Sequence, residues 1–230
     1  MKIKNILFFS IICASLHMPL QAASWLSSFF TPSKQEISDF FEAIEKDNLE
    51  LVKDMLQKKP ALLNCQDCDS CETPPLHKAV KHNNLEIVKT LSQYPEIKVN
   101  CIDCWDKTAL LYAIDEQIKK TVDQKNNAII VALLQAGANP NTIVDHTNTP
   151  PLHWAIKNDS EIATFIINSK NANLNIKNII GNGPIHRAID LKRFDLARLL
   201  IEKGADVNAI GNEKATPLLM VMSEGYTKRR

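Results

Sequence analysis

Beyond its first two dozen residues, this chain sets apolar residues in short bursts three and four positions apart, each burst broken by a polar turn. Leu76, Ala79 and Val80 are followed by Leu85, Ile87, Val88 and Leu91; later Ile185, Ala188 and Ile189 are followed by Leu196, Leu199 and Leu200. That spacing is the period of one face of a helix, so each burst predicts a short amphipathic helix and each pair of bursts two helices in succession. Helices of about ten residues are marginal alone in water. The pairs must therefore bury their apolar faces on one another.

The turns between bursts carry a repeat. Asparagine closes a turn at Asn64, Asn100, Asn141, Asn175 and Asn208, at spacings of 36, 41, 34 and 33 residues. A second marker keeps step with it: Thr73-Pro74-Pro75-Leu76-His77, Thr108-Ala109-Leu110-Leu111, Thr149-Pro150-Pro151-Leu152-His153, Gly183-Pro184-Ile185-His186 and Thr216-Pro217-Leu218-Leu219. A third precedes several of the asparagines, as in Gly137-Ala138-Asn139-Pro140-Asn141, Asn171-Ala172-Asn173-Leu174-Asn175 and Gly204-Ala205-Asp206-Val207-Asn208. Three markers in register over several units make a specific signal.

The pattern resembles the ankyrin repeat, with its Thr-Pro-Leu-His start, paired helices and Gly-Ala-Asp-Val-Asn close, over roughly residues 35 to 222. The resemblance implies an all-α solenoid of stacked helix-turn-helix units joined by β-hairpin finger loops. It also implies that His77, His153 and His186 hydrogen-bond locally, linking turn to helix. Local chemistry agrees with it. Proline in the first turn of a helix costs no hydrogen bond, threonine ahead of it can cap free amides, and Gly137 and Gly204 can end second helices in left-handed turns.

The units divide as follows. Residues 35–64 form a divergent capping repeat without the threonine–proline start, built on Ile37, Phe40, Phe41 and Ile44, then Leu49, Val52, Met55 and Leu56. Full repeats span 65–100, 101–141, 142–175 and 176–208. The second of these is longest, its surplus lying in a polar stretch from Asp115 to Asn127. Residues 209–230 form a partial repeat with one helix signal, Thr216 to Met222, expected to close the stack by itself. A segment at 24–34 holding Trp25, Leu26, Phe29 and Phe30 is expected to fold over the other end, since terminal repeats need covering.

The first residues read as a signal peptide, 1–23. Lys2 and Lys4 precede an apolar stretch from Ile6 to Leu16, and Pro19 and Leu20-Gln21-Ala22-Ala23 follow. A mostly apolar stretch of about eleven residues is too short to cross a membrane as a helix, so the reading is export, to a periplasm or outside the cell, with no membrane span in the mature chain. Hydrophobic residues make up 45% and the net charge is +1. Losing Lys2 and Lys4 leaves 25 basic against 26 acidic residues, a net of −1. Such balance argues against nucleic acid as a partner, because those binders carry a basic excess.

Little in the chain reads as catalytic. No phosphate-binding glycine loop, His-Glu-x-x-His or Gly-x-Ser-x-Gly occurs, and histidines stacked one per repeat do not converge. No catalytic residue is assigned and the chain is not read as an enzyme. The cysteines stand apart. Cys65-Gln66-Asp67-Cys68 and Cys101-Ile102-Asp103-Cys104 occupy the same place in adjacent units, the finger, with Cys71 three residues further along the first. Three arrangements are open: disulfides, which fit an exported chain best; a zinc site of four cysteines, although the gap between pairs is far longer than in zinc ribbons; or free, redox-active thiols.

Function is read instead from a surface. By the resemblance, the residue after each histidine position points into a concave face where partners bind: Lys78, Tyr112, Trp154, Arg187 and Met220. Aromatics and arginine in one column have the composition of an interface hot spot, and finger tips add Trp105, Asp106, Asp145 and His146. The expected function is capture of a protein partner by a monomeric solenoid through Lys78, Trp105, Tyr112, Trp154 and Arg187. The alternative is a metal-binding or redox-sensitive stack built on Cys65, Cys68, Cys101 and Cys104.

Overall fold

The computed structural model describes residues 31–66, 73–119, 127–143 and 149–227. The leader, Trp25 to Phe30, Cys68, Cys71, the centre of the insertion, Asp145 and His146 lie outside the described residues. Among those described the chain forms eleven α-helices in pairs: α1 Lys34–Glu45 and α2 Leu49–Lys58, α3 Pro75–Lys81 and α4 Leu85–Ser92, α5 Ala109–Lys119 and α6 Ala128–Gln135, α7 Pro151–Asn158 and α8 Ser160–Ile167, α9 Pro184–Asp190 and α10 Phe194–Glu202, then α11 Pro217–Thr227.

Each helix packs on its pair-mate and on its counterpart in the next pair. Odd helices stack from α1 through to α11 and even helices from α2 through to α10, giving two layers. One continuous apolar core runs between them from Phe40 to Ala205, with Ile44, Ala79, Ile87, Leu91, Ile130, Ala155, Ile162 and Leu200 fully buried. Alanine recurs on the odd helices at the buried positions Ala79, Ala113, Ala155 and Ala188, so that neighbouring helices can approach closely. No helix among the described residues is long and apolar enough to cross a membrane.

Short helices depend on their ends. Pro75, Pro151, Pro184 and Pro217 each occupy the first helical turn, where the missing amide costs nothing. The threonines divide into two classes. Thr108 and Thr216 abut their helices and accept from the Leu111 and Leu219 amides at 3.4 Å. Ahead of α3 and α7 the N-cap is Pro74 or Pro150, which supplies no capping side chain, and threonine lies one residue further back. Asp159 caps α8, accepting from the Glu161 and Ile162 amides at 2.9 and 3.1 Å. Gly137 and Gly204, at φ +89° and +92°, end α6 and α10 in the left-handed turn expected of them.

What spaces the units is a ladder of asparagines. Asn64 donates to the Glu96 carbonyl and accepts from the Lys98 amide, both at 2.9 Å. Asn100 repeats this with Gly137 and Asn139, and Asn141 with Asn171 and Asn173. Asn175 accepts from the Asp206 amide at 2.8 Å. Each side chain bonds the turn one unit on, which is why asparagine recurs at the period of the repeat.

The histidines also work between units. His77 Nε2 donates to the Lys107 carbonyl and His153 Nε2 to the Asn182 carbonyl, each at 2.8 Å. His186 reaches Ala209 and Ala215 at 3.0 and 3.3 Å. A carbonyl only accepts, so the proton sits on Nε2. The expected local bond is made by His186, whose Nδ1 accepts from the Gly183 amide at 3.3 Å, and each of the three rings also pins the finger of the following unit. The fingers at 101–108 and 176–183 are turns rather than hairpin ladders, with one isolated bridge, Ile102 to Thr108, among the described residues.

Candidate protein-binding face

The finger between α4 and α5 is built around Asp103. Its Oδ1 accepts from the Trp105 and Lys107 amides at 2.9 and 3.0 Å, and its backbone amide donates to the Lys107 carbonyl at 3.1 Å. Asp106 takes the left-handed conformation, φ +56°, that closes the turn. The other oxygen, Oδ2, accepts from the Tyr112 hydroxyl on α5 at 2.7 Å. Burial works against the Asp103 charge, but these three donors outweigh it and hold the carboxyl below its ordinary range. Burial first, and Asp103 second, push the Tyr112 hydroxyl well above the usual tyrosine value.

The Tyr112 ring is itself enclosed. Lys81 Nζ lies 4.5 Å from its centroid and Lys107 Nζ 5.4 Å, a cation–π arrangement, while His77 meets it edge-on at 6.0 Å. Lys107 is also paired with Asp115 at 2.5 Å. Tyr112, expected as a contact residue, therefore ties the finger to α5. What the finger offers outward is Trp105, 67% exposed.

The device recurs in the finger between α8 and α9. Asn178 Oδ1 accepts from the Ile180 and Asn182 amides at 3.2 and 3.0 Å, its own amide donates to the Asn182 carbonyl at 2.9 Å, and Gly181 closes the turn at φ +85°. Ile180 holds the place of Trp105. Both it and Ile179 are exposed, as are Ile102 and Ile210 on their own fingers. This run of exposed apolar finger residues did not emerge from the sequence. An Asp or Asn bonded to the residue four positions on, with a large apolar residue between them, is the signal that marks it.

The column after the histidine position is less open than its composition implied. Lys78 is 9% exposed, its amine 2.5 Å from Glu45. Arg187 is part-buried, 3.1 Å from Asp190, and Met220 packs partly against the core. Trp154 is part-buried and lines a small hollow between α5 and α7 with Lys107, Leu111, Asp115 and Pro151. Cys65 and Cys101 are half-buried at equivalent finger positions, and burial raises the Cys101 thiol above its usual value. Among the described residues no three His, Cys, Asp or Glu side chains cluster to hold a metal.

The model of the family described as ankyrin repeats (3 copies) matches residues 40–124 and 121–210, well over half the chain. The chain belongs to the ankyrin-repeat family. Among curated relatives, an ankyrin repeat protein of variola virus, OPG189, is 28% identical over 118 residues, 51% of this chain and 21% of its own length. The fowlpox virus protein FPV031, also described as a putative ankyrin repeat protein, is 34% identical over 103 residues, 43% of this chain and 30% of its own. This ankyrin-repeat chain thus spans less than a third of the curated relatives it matches.

Solved structures agree on the fold. An ankyrin repeat domain of Acinetobacter baumannii superposes with TM-score 0.62 at 22% identity, covering 83% of this chain and 93% of that one. A chain from the complex of the Bdellovibrio bacteriovorus predatory endopeptidase Bd0816 with the immunity protein Bd3460 superposes with TM-score 0.56 at 26% identity, covering 82% and 92%. Ankyrin repeats mediate protein–protein interaction, and the fold is characteristically a scaffold rather than an enzyme.

Proposed function

We propose that this chain is an exported ankyrin-repeat protein that captures a protein partner with its fingers and concave face. The observation that carries the reading is Trp105: a large aromatic, two-thirds exposed, on a finger held by three side-chain acceptor bonds to one carboxylate. An exposed aromatic on a rigid support loses little freedom on binding, which is what makes an anchor effective. Ile179, Ile180 and Ile210 extend the apolar contact along the fingers, while Trp154 and Arg187 border it from the odd helices. The −1 balance of the mature chain supports a protein partner over nucleic acid. Residues 1–23 support delivery to a periplasm or the medium.

One chain of similar fold comes from an endopeptidase held with an immunity protein, so a peptidase is the partner class to try first. In an exporting compartment the cysteine fingers are joined by disulfides rather than zinc. Support comes from the export reading, since oxidising compartments favour disulfides. Intact mass of the denatured chain, before and after reduction, reads about two hydrogens per bridge; an unchanged mass would remove the disulfides.

The test is a photo-crosslinking residue placed at Trp105 in one variant and at Lys89, exposed on α4, in another. The expected result is recovery of exported chain with one defined protein joined from position 105 and not from 89. Equal crosslinking from both positions, or retention of the chain in the cytoplasm, would contradict the reading.

A further inference from the structure

The α10–α11 end of the stack differs from everything before it. Each even helix is covered by the next, and beyond α10 no described helix takes that place. What is left is an open apolar groove of about 590 Å³ lined by Phe194, Ala197, Ile201, Val207, Leu218 and Val221. Phe194 is 55% and Leu218 66% exposed, and Leu219 and Met222 stand exposed beside them. The single helix α11 was expected to close the stack. It packs on α9 and leaves its outer face open, because one helix covers only the odd layer.

We propose that this end binds the same end of a second copy of the chain, across a two-fold axis. Area supports it. The exposed parts of these seven or so side chains, about 100 Å² each, sum to roughly 700 Å² per copy, close to the ~800 Å² per partner of a stable interface. That patch is also larger than monomers usually leave open.

The alternative of stacking end to opposite end lacks a complementary surface. The groove at the α1–α2 end, of similar size, has Leu51 and Met55 in its lining but sets Glu36, Asp39, Glu42 and Lys46 beside them. Apolar side chains set against those charges would desolvate them without pairing them. A second copy of the apolar α10–α11 end matches it in chemistry and size, and like surfaces meet about a two-fold axis. Charge agrees with this. Arg198 and Glu202 sit one turn apart on the exposed rim of α10, 3.0 Å from each other. Antiparallel pairing of two α10 helices about residue 200 lays each Arg198 on the Glu202 of the second copy, twice over.

Light scattering of the full-length protein over a dilution series tests this. The expected result is twice the chain mass at high concentration, passing to the single mass on dilution. Ile201→Glu and Leu218→Glu, both at exposed positions, are expected to keep the helical signal and melting temperature while raising the dimer dissociation constant about tenfold or more. Arg198→Glu weakens the dimer, and adding Glu202→Arg restores it. A monomer at every concentration overturns the proposal, as does a dimer that Ile201→Glu and Leu218→Glu leave intact.

Discussion

Replacing Tyr112 by phenylalanine removes a single oxygen, and the structure sets what that should cost. The hydroxyl donates to a buried carboxylate at 2.7 Å, and a hydrogen bond to a charged group contributes about 1.5–3 kcal/mol. Two other amides still serve Asp103 through Oδ1, which favours the lower half of that range, about 2 kcal/mol. With a urea m-value near 2 kcal/mol/M, the unfolding midpoint falls by about 1 M. The ring stays in place between Lys81 and Lys107, so packing and cation–π contacts are retained. Asp103→Asn keeps the Oδ1 acceptor and loses the charge, so it should cost about as much as Tyr112→Phe, and the double variant little more than either. The hydroxyl also has a pH signature. Its folded value is raised, so its stabilisation is full below the ordinary tyrosine value of 10 and is lost as pH rises beyond it. Absorbance of the phenolate should appear at lower pH in Asp103→Asn than in the parent. A midpoint shift under about 0.2 M for Tyr112→Phe would show that this bond does not hold the finger.

Two further outcomes follow from the links between units. Asn141→Ala removes two inter-unit bonds of 2.7 Å and should cost about 1–2 kcal/mol by urea denaturation, given about 1 kcal/mol for an ordinary bond; a loss under about 0.3 kcal/mol would discount the ladder. His77 and His153 are held below the ordinary histidine value, chiefly by burial. The unfolded chain therefore binds protons first as pH falls below 6.5, and stability drops by up to about 1.4 kcal/mol per pH unit for each ring. Denaturation midpoints at neutral and mildly acidic pH check this, and a flat profile would contradict it.

The stack was legible because its causes recur. An asparagine that must reach the next turn, a proline that opens a helix and a glycine that ends one leave the same residue at the same interval. The site was less legible because its decisive contacts are either unique or lie between units. Asp103 is one aspartate among many until its oxygens are seen to gather Trp105, Lys107 and Tyr112. Lys78 read as a surface cation, yet the neighbouring unit supplies Glu45 and covers it. Each histidine read as a local link, and the carbonyl it binds belongs to the following finger, 29 or 30 residues away for His77 and His153. Ile179 and Ile180 escaped notice because two isoleucines in a turn carry no periodicity; only the fold shows them exposed.

The measurement that bears most directly on partner capture is the dissociation constant of the crosslinked partner for the parent chain and for Trp105→Ala. Truncating an exposed side chain should leave the urea midpoint unchanged, as surface changes stay within about 0.5 kcal/mol. Binding should weaken by about 2 kcal/mol, a thirtyfold rise in the constant, as for an anchoring aromatic. Equal affinity of the two chains would mean that the partner is held elsewhere and that the finger face is not where this protein works.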